Sequence, residues 1–192
     1  MGRSPFTFIM EEKYWKMEFD IKRGKRCSIH RTFFEDDFIY FCKGLRECYA
    51  KHGSLEAIFA GGQDIWEGIS IFRETMASRN GAAHRANSKP VYSRHIANPA
   101  SGSACKRLHL ALRWLVRREG PVDMGLWKSV SPSSLFIPLD LHVGRTARLM
   151  GLLERKSNDR KAVTSLTEKL REFCPEDPIK YDLALFGYGI NS

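Results

Sequence analysis

At residues 98–107 the chain reads Asn-Pro-Ala-Ser-Gly-Ser-Ala-Cys-Lys-Arg, and at residues 138–142 it reads Pro-Leu-Asp-Leu-His. The first stretch is a turn rich in Pro, Gly and Ser, and the apolar spacing after it predicts a helix that Ser103 caps and that runs to Arg118. The second stretch predicts another helix, capped by Asp140. The rest of the chain is organised around these two helix starts, one with a lysine and one with a carboxylate.

The turn before the first of these helices has the features of an anion site. Gly102 lets the backbone come close to a ligand, and residues 103–105 present amides at a helix N-terminus, where the helix dipole also favours negative charge. Most turns of this kind are only helix caps. The turn alone is therefore weak support for a binding function.

Lys106 and Asp140 each allow two interpretations. A neutral lysine amine is a nucleophile that forms Schiff bases with aldehydic carbons, but Lys106 is equally explained as a solvated lysine on a basic helix face. Asp140 can be an N-cap, or a carboxylate that handles a proton at a reacting centre, and these two roles are compatible. His142 and Arg145 could contact backbone phosphate, although His142 could as well be an ordinary half-buried histidine.

Apolar residues spaced by three and four positions predict helices along most of the sequence, and no segment alternates as a strand does. Thr32 with Glu35 matches a capping box and predicts a helix that ends at Gly53. Asp64 begins another helix, which ends at Asn80-Gly81. The remaining predicted helices are Pro5–Lys16, Asp159–Phe173 and Ile179–Tyr188. Residues 55–59 are predicted to form a short turn, residues 135–137 a short buried run, and residues 21–26 and 81–97 irregular basic segments. We therefore predict an all-α fold of about eight helices.

Composition limits the classes of function. The 192-residue chain is 43% hydrophobic and carries a formal net charge of +9, so it has enough apolar residues for a core and a surface suited to polyanions, of which nucleic acid is the commonest. Many basic proteins bind no DNA, however. The five cysteines form no C-x-x-C pair, which is typical of a reducing cytoplasm and predicts neither disulfides nor a metal site. No apolar run approaches the ~20 residues of a membrane span.

The residues of the two central stretches resemble the helix-hairpin-helix DNA glycosylase superfamily, which includes endonuclease III and the 8-oxoguanine glycosylases. The resemblance is carried by residues 98–108, by Leu112-Arg113-Trp114 and by residues 138–145. Further matches to an uncharacterised bacterial domain-of-unknown-function family beside this superfamily lie at residues 30–33, Trp127, Gly151-Leu152, Leu166-Thr167 and residues 177–187. The resemblance to that family covers nearly the whole chain.

The resemblance implies a two-lobed helical fold with a central cleft, in one domain over residues 1–192 with lobes at 1–80 and 81–192. It implies a base-excision-repair glycosylase with AP-lyase activity, which flips a damaged base out of double-stranded DNA. Lys106 matches the Schiff-base lysine and Asp140 the catalytic aspartate. The residues expected to bind DNA are Ser101, Gly102, Ser103, Ala104, Arg107, His142 and Arg145. The resemblance implies no cofactor or metal, and a monomer in the cytoplasm with the nucleoid.

The sequence also departs from the superfamily. Its hairpin lacks the common Leu-Pro-Gly-Val-Gly pattern, and the 34 residues from Lys106 to Asp140 (140 − 106) imply an insertion near residues 119–136. Family members begin earlier, so we expect N-terminal helices of one lobe to be missing here. Two alternatives follow: a non-catalytic DNA-binding protein that keeps the hairpin, and an inactive truncated relative.

Overall fold

The computed structural model describes residues 28–78, 92–120 and 122–191. Their elements, in chain order, are β1 (Ser28–His30), β2 (Phe33–Phe34), α1 (Glu35–His52), α2 (Leu55–Ala60), α3 (Ile65–Ser78), α4 (Lys106–Val116), α5 (Leu141–Leu149), α6 (Arg160–Phe173) and α7 (Asp182–Asn191). Short 3-10 turns lie at Pro99–Ser101 and Pro132–Ser134. The helix predicted at Pro5–Lys16, the basic loop at 21–26 and most of the irregular segment 81–97 lie outside the described residues.

The fold is mostly helical, as predicted, but the described residues also contain a small antiparallel hairpin. In it Ser28 pairs with Phe34 and His30 with Phe33. This hairpin corrects the predicted start of the first helix. Strand pairing takes up Phe33–Phe34, so α1 begins at Glu35, and the Asp37 carboxylate, not the Thr32 hydroxyl, accepts the backbone N–H of Phe34 at 2.9 Å.

The described residues fall into two compact units. One takes in the described residues up to Leu55 and those from Glu74 to His95, and the other contains Glu56–Arg73 and the described residues from Ile96 onward. The single-domain assignment with lobes meeting near residue 80 stays a prediction.

In the first unit, the buried face of α1 contains Ile39, Cys42 and Cys48. Both cysteines are free thiols, as their position in an apolar pattern predicts, and burial raises the pKa of each to about 11. Gly53 ends the helix in a left-handed conformation (φ 77°), which confirms the predicted end.

The second unit contains two helix caps, of which the sequence predicts the one at Asp140. Asp140 accepts the backbone N–H of Val143 at 2.8 Å at the start of α5, and Asp159 accepts that of Ala162 at 3.0 Å at the start of α6. The short apolar run Leu135–Ile137, predicted to be buried, supplies Leu135 and Ile137 to the core, where both are almost fully buried. The same core contains Leu112, Leu166, Leu170 and Ile179.

Two predicted helices in this unit have wrong bounds. α4 begins at Lys106, three residues after Ser103, because residues 99–105 continue the turn, and it ends at Val116 rather than Arg118. The last helix begins at Asp182 instead of Ile179, since the residues after Pro178 form turns in which Asp182 N–H bonds to the Ile179 carbonyl.

The close approach of α5 and α7 depends on a glycine. A Cβ at Gly189 would lie 2.6 Å from Thr146 Oγ1 and 2.8 Å from the His142 carbonyl oxygen, whereas a Cβ at Gly187 in the same helix would meet nothing within 4 Å. The two glycines are therefore a matched pair for testing this packing.

We expect Gly189→Ala to lower the free energy of unfolding by about 1–3 kcal/mol, because the helices must move apart. Gly187→Ala should raise the free energy of unfolding by about 0.5–1 kcal/mol through helix propensity alone. Urea unfolding of both variants measures this difference. Equal effects of the two substitutions would contradict the packing.

Candidate active site

A tight turn precedes α4 and is held by its own side chains. Asn98 Oδ1 accepts the backbone N–H of Ala100 at 3.0 Å, and Ser101 Oγ donates to the Asn98 carbonyl at 2.8 Å. Gly102 follows with φ 80°, a conformation that glycine adopts without strain. A Cβ at Gly102 would meet nothing within 4 Å, so this face of the turn is open.

The turn is fastened to the start of α6. The backbone N–H of Arg160 donates to the Gly102 carbonyl at 2.8 Å, and Ser103 forms an isolated antiparallel bridge with Asp159. Arg155 and the amide of Ala162 hold the pKa of the Asp159 carboxyl well below its usual range. The turn before α4 is thus held at two points by the start of α6.

Cys105 turns the chain into α4. Its φ of 46° is left-handed, which is uncommon for a residue with a side chain, and the residue is buried. Ser103 Oγ accepts the Cys105 N–H at 3.3 Å, so Ser103 stabilises the turn rather than capping the helix as predicted. This backbone path makes Lys106 the first residue of the helix.

Lys106 and Asp140 come together although 34 residues separate them. Lys106 Nζ lies 3.1 Å from Asp140 Oδ2, while Asp140 Oδ1 caps α5. The Asp140 side chain is 11% exposed and the Lys106 side chain 47% exposed. Asn158 Nδ2 donates to the Asp140 carbonyl at 2.9 Å. The carboxylate is therefore fixed in place, and the amine that it holds is open to solvent.

The residues predicted to bind DNA have different surroundings. Ser101, Gly102, Arg107 and Arg145 are exposed, and Ser103 and Ala104 are half-buried. His142 bonds through Nδ1 to the Gly189 carbonyl oxygen at 3.0 Å, and its ring lies edge-on to Phe186 with the centroids 5.7 Å apart. This histidine therefore has a packing role against α7, and the DNA-binding assignment of all seven residues stays a prediction.

The sequence did not predict the ion-pair network that Arg113 and Arg117 form further along α4 and at its end. The five cations of residues 106–118 look like one solvated basic stripe, but Arg113 and Arg117 are buried. Arg113 Nη1 lies 2.5 Å from Asp182 Oδ2 and its Nε lies 3.3 Å from Asp123 Oδ1. Arg117 pairs with Asp123, and also with Asp177 at 2.7 Å. Only Arg107 and Arg118 of the five remain exposed without an ion pair among the described residues.

The spacing of the cations along the helix is the one sequence feature that indicates this network. Positions 106, 113 and 117 are i, i+7 and i+11, so all three cations project from one face of α4. A buried face carrying arginines requires carboxylates opposite it. Asp182 is one of them. Burial raises the pKa of its carboxyl, the negative charge of Asp140 raises it further, and Arg113 offsets part of the shift.

His109, also in α4, lies in an aromatic cluster. Its ring centroid is 4.6 Å from that of Trp66 and 5.8 Å from that of Phe136. Neither ring nitrogen has a hydrogen-bond partner among the described residues. The Arg160 guanidinium sits 4.7 Å from the Trp66 ring centroid. Burial lowers the pKa of His109 to about 3, so the ring is neutral at physiological pH. Trp66 and His109 are therefore part of the buried core of this unit.

The protein belongs to an uncharacterised family. Residues 1–191 match the family model described as protein of unknown function (DUF2400). No curated protein and no solved structure matches the chain. In the described part of the chain, no cluster of three His, Cys, Asp or Glu side chains is placed to hold a metal ion, and no helix is long and apolar enough to span a membrane.

Proposed function

We propose that the protein is a base-excision-repair DNA glycosylase with AP-lyase activity, in which Lys106 is the nucleophile and Asp140 the proton-handling carboxylate. One observation carries the proposal: an accessible lysine amine lies 3.1 Å from a carboxylate that a helix cap holds in place. A nucleophile within hydrogen-bond reach of a base is the arrangement that amine catalysis requires.

In the proposed reaction, the Lys106 amine attacks the aldehydic carbon of the sugar that has lost its base. Water leaves and a Schiff base forms between Nζ and that carbon. Loss of a proton from the neighbouring sugar carbon then lets the 3′ phosphate depart by β-elimination, which nicks the strand. Asp140 is placed to accept the proton that Lys106 must lose before it attacks, because Oδ2 already accepts a hydrogen bond from Nζ.

The surroundings of the pair support DNA as the substrate. The open turn at Gly102 lies directly before α4, and backbone amides at such a turn suit a phosphate. Arg107 and Arg145 are exposed; Arg107 directly follows Lys106, and Arg145 comes five residues after Asp140 in α5. The formal net charge of +9 favours a polyanion.

The proposal predicts that the protein cleaves a duplex with one abasic site and that Lys106→Ala lowers the cleavage rate at least about 100-fold, since the nucleophile is lost. Asp140→Asn should reduce the rate by about 100-fold without unfolding α5, because asparagine caps helices as well as aspartate does. Gel separation of the nicked strand measures both rates.

Lys169 provides a matched control for Lys106. Its side chain is 46% exposed and also pairs with a carboxylate, that of Glu172, at 2.7 Å. Lys169→Ala should leave the cleavage rate unchanged. If Lys106→Ala cleaves as fast as Lys169→Ala, the proposed role of Lys106 is wrong.

The second candidate is a non-catalytic DNA-binding protein. The Lys106–Asp140 ion pair is compatible with it as well, because the pair can serve only to hold the starts of α4 and α5 together. This candidate predicts duplex binding that weakens steeply with salt, with no strand cleavage by the wild type. Duplex affinity measured at several salt concentrations, beside the cleavage assay, distinguishes the two. Absence of binding at low salt would exclude both candidates.

A further inference from the structure

A second concave site lies at the far end of α4 from Lys106. An open cavity of about 750 Å³ is lined by three segments: Val116–Glu119 at the end of α4, Trp127–Pro132, and part of the stretch from Cys174 to Lys180. Its volume is in the range of small-molecule sites, roughly 300–1,000 Å³. Since α4 has 11 residues, its two ends are about 15 Å apart, so this cavity is separate from the Lys106–Asp140 pair.

Ion pairs and hydrogen bonds fix the walls of the cavity. Arg117 Nε donates to both carboxylate oxygens of Asp177, at 3.0 and 2.9 Å. In the Trp127–Pro132 segment, the backbone N–H groups of Lys128 and Ser129 both donate to Glu56 Oε1, each at 2.5 Å. The shape of the cavity is therefore set without a ligand, which reduces the conformational entropy that binding would cost.

Three cations of the lining have no ion-pair partner among the described residues. Within the described residues, Arg118, Lys128 and Lys180 form no ion pair, and the Lys128 amine donates only to the Gly125 carbonyl at 2.7 Å. Two lining carboxylates, those of Glu119 and Glu176, are also without an ion pair there. Three cations against two anions leave an excess positive charge, so the lining favours an anionic ligand that also has hydrogen-bond donors.

An aromatic side chain completes the lining. Trp127 packs against Phe59, with ring centroids 5.6 Å apart at an interplanar angle of 33°, and the indole is only half-buried. Its remaining surface borders the cavity. An indole held from behind in this way is a platform on which a planar ring can stack.

We propose that this cavity binds a nucleoside monophosphate unit, with the base against Trp127 and the phosphate among Arg118, Lys128 and Lys180. Ser129, Glu119 and Glu176 supply hydrogen-bonding groups for the sugar and the base. The unit can be a free nucleotide or a nucleotide of a DNA strand, which share this chemistry. The site goes beyond the proposed function and uses neither Lys106 nor Asp140.

Titration of the full chain with AMP, CMP, GMP and UMP tests the site. The indole N–H resonance of Trp127, assigned with Trp127→Phe, should shift and saturate with a Kd below about 1 mM. Arg118→Ala with Lys180→Ala should weaken binding at least about tenfold, whereas Arg107→Ala, an exposed arginine at the other end of α4, should have no effect. Adenosine and inorganic phosphate alone should bind more weakly than AMP.

A four-nucleotide single strand distinguishes the two sources, because a strand-bound nucleotide predicts tighter binding of the oligonucleotide than of the mononucleotide. Tighter binding of the oligonucleotide and tighter binding of the mononucleotide both support the site. In each case Arg118→Ala with Lys180→Ala must weaken the binding of the ligand that binds more tightly. No saturable shift with any probe, or equal binding by the double variant, overturns the proposal. Lys106→Ala should bind the nucleotides like the wild type, so failure here and failure of the abasic-site assay are distinguishable.

Discussion

Arg113→Met is expected to lower the free energy of unfolding by about 3–5 kcal/mol, because it leaves the buried Asp182 carboxylate without its counter-charge. Methionine keeps much of the side-chain volume, so the loss reports on charge rather than on a cavity. Asp182 depends on Arg113 through the 2.5 Å contact, while Asp123 keeps its pair with Arg117. Chemical denaturation followed by circular dichroism measures the loss.

Two further variants make this prediction specific. Arg107→Met, at an exposed position of the same helix, should change the free energy of unfolding by less than about 0.5 kcal/mol. Asp182→Asn added to Arg113→Met should recover at least about 1 kcal/mol, since it removes the charge left unpaired. A loss below about 1 kcal/mol for Arg113→Met would show that the network is not buried as described.

The second large effect is a loss of stability on acidification that depends on His109. The pKa of His109 is about 3 in the folded protein and about 6.5 in an unfolded chain. Between these values the unfolded state binds more protons, so the stability is complete above pH 6.5 and falls as the pH falls toward 3. From pH 7 to pH 5 the contribution of this single histidine is about 2 kcal/mol.

His109→Leu removes this titrating group and keeps an apolar side chain in the aromatic cluster. The variant should therefore lose about 2 kcal/mol less than the wild type between pH 7 and pH 5, whatever its absolute stability. His30→Gln, which replaces an exposed histidine, is the matched control substitution. Urea unfolding at both pH values gives the comparison. Identical slopes for wild type and His109→Leu would mean that the ring is not buried.

Local signals were enough to predict much of this fold. The cap Asp140, the glycine stop at Gly53 and the buried run Leu135–Ile137 each follow from a few neighbouring residues, and each is confirmed. The errors arise where contacts with other parts of the chain override the local signals. The Thr32 cap was wrong because Phe33–Phe34 pairs with an earlier strand, and the Ser103 cap because Cys105 adopts a left-handed turn.

The sequence likewise predicts only part of the candidate site. The resemblance to the glycosylase superfamily singled out Lys106 and Asp140, and the two side chains do meet. The network behind them was not predicted, because the carboxylates that pair with Arg113 and Arg117 lie up to 69 residues away. Helical periodicity marks the shared face of the cations, but only the packed structure shows which acids lie opposite.

Trapping the covalent intermediate tests the proposed chemistry most directly. The protein is incubated with an abasic-site duplex and sodium borohydride, and the reduced adduct is digested and mapped by mass spectrometry. The proposal predicts a stable protein–DNA adduct on the peptide that contains Lys106, absent in Lys106→Ala and retained in Lys169→Ala. A wild-type protein that gives no adduct, or a Lys106→Ala variant that still forms one, would contradict it.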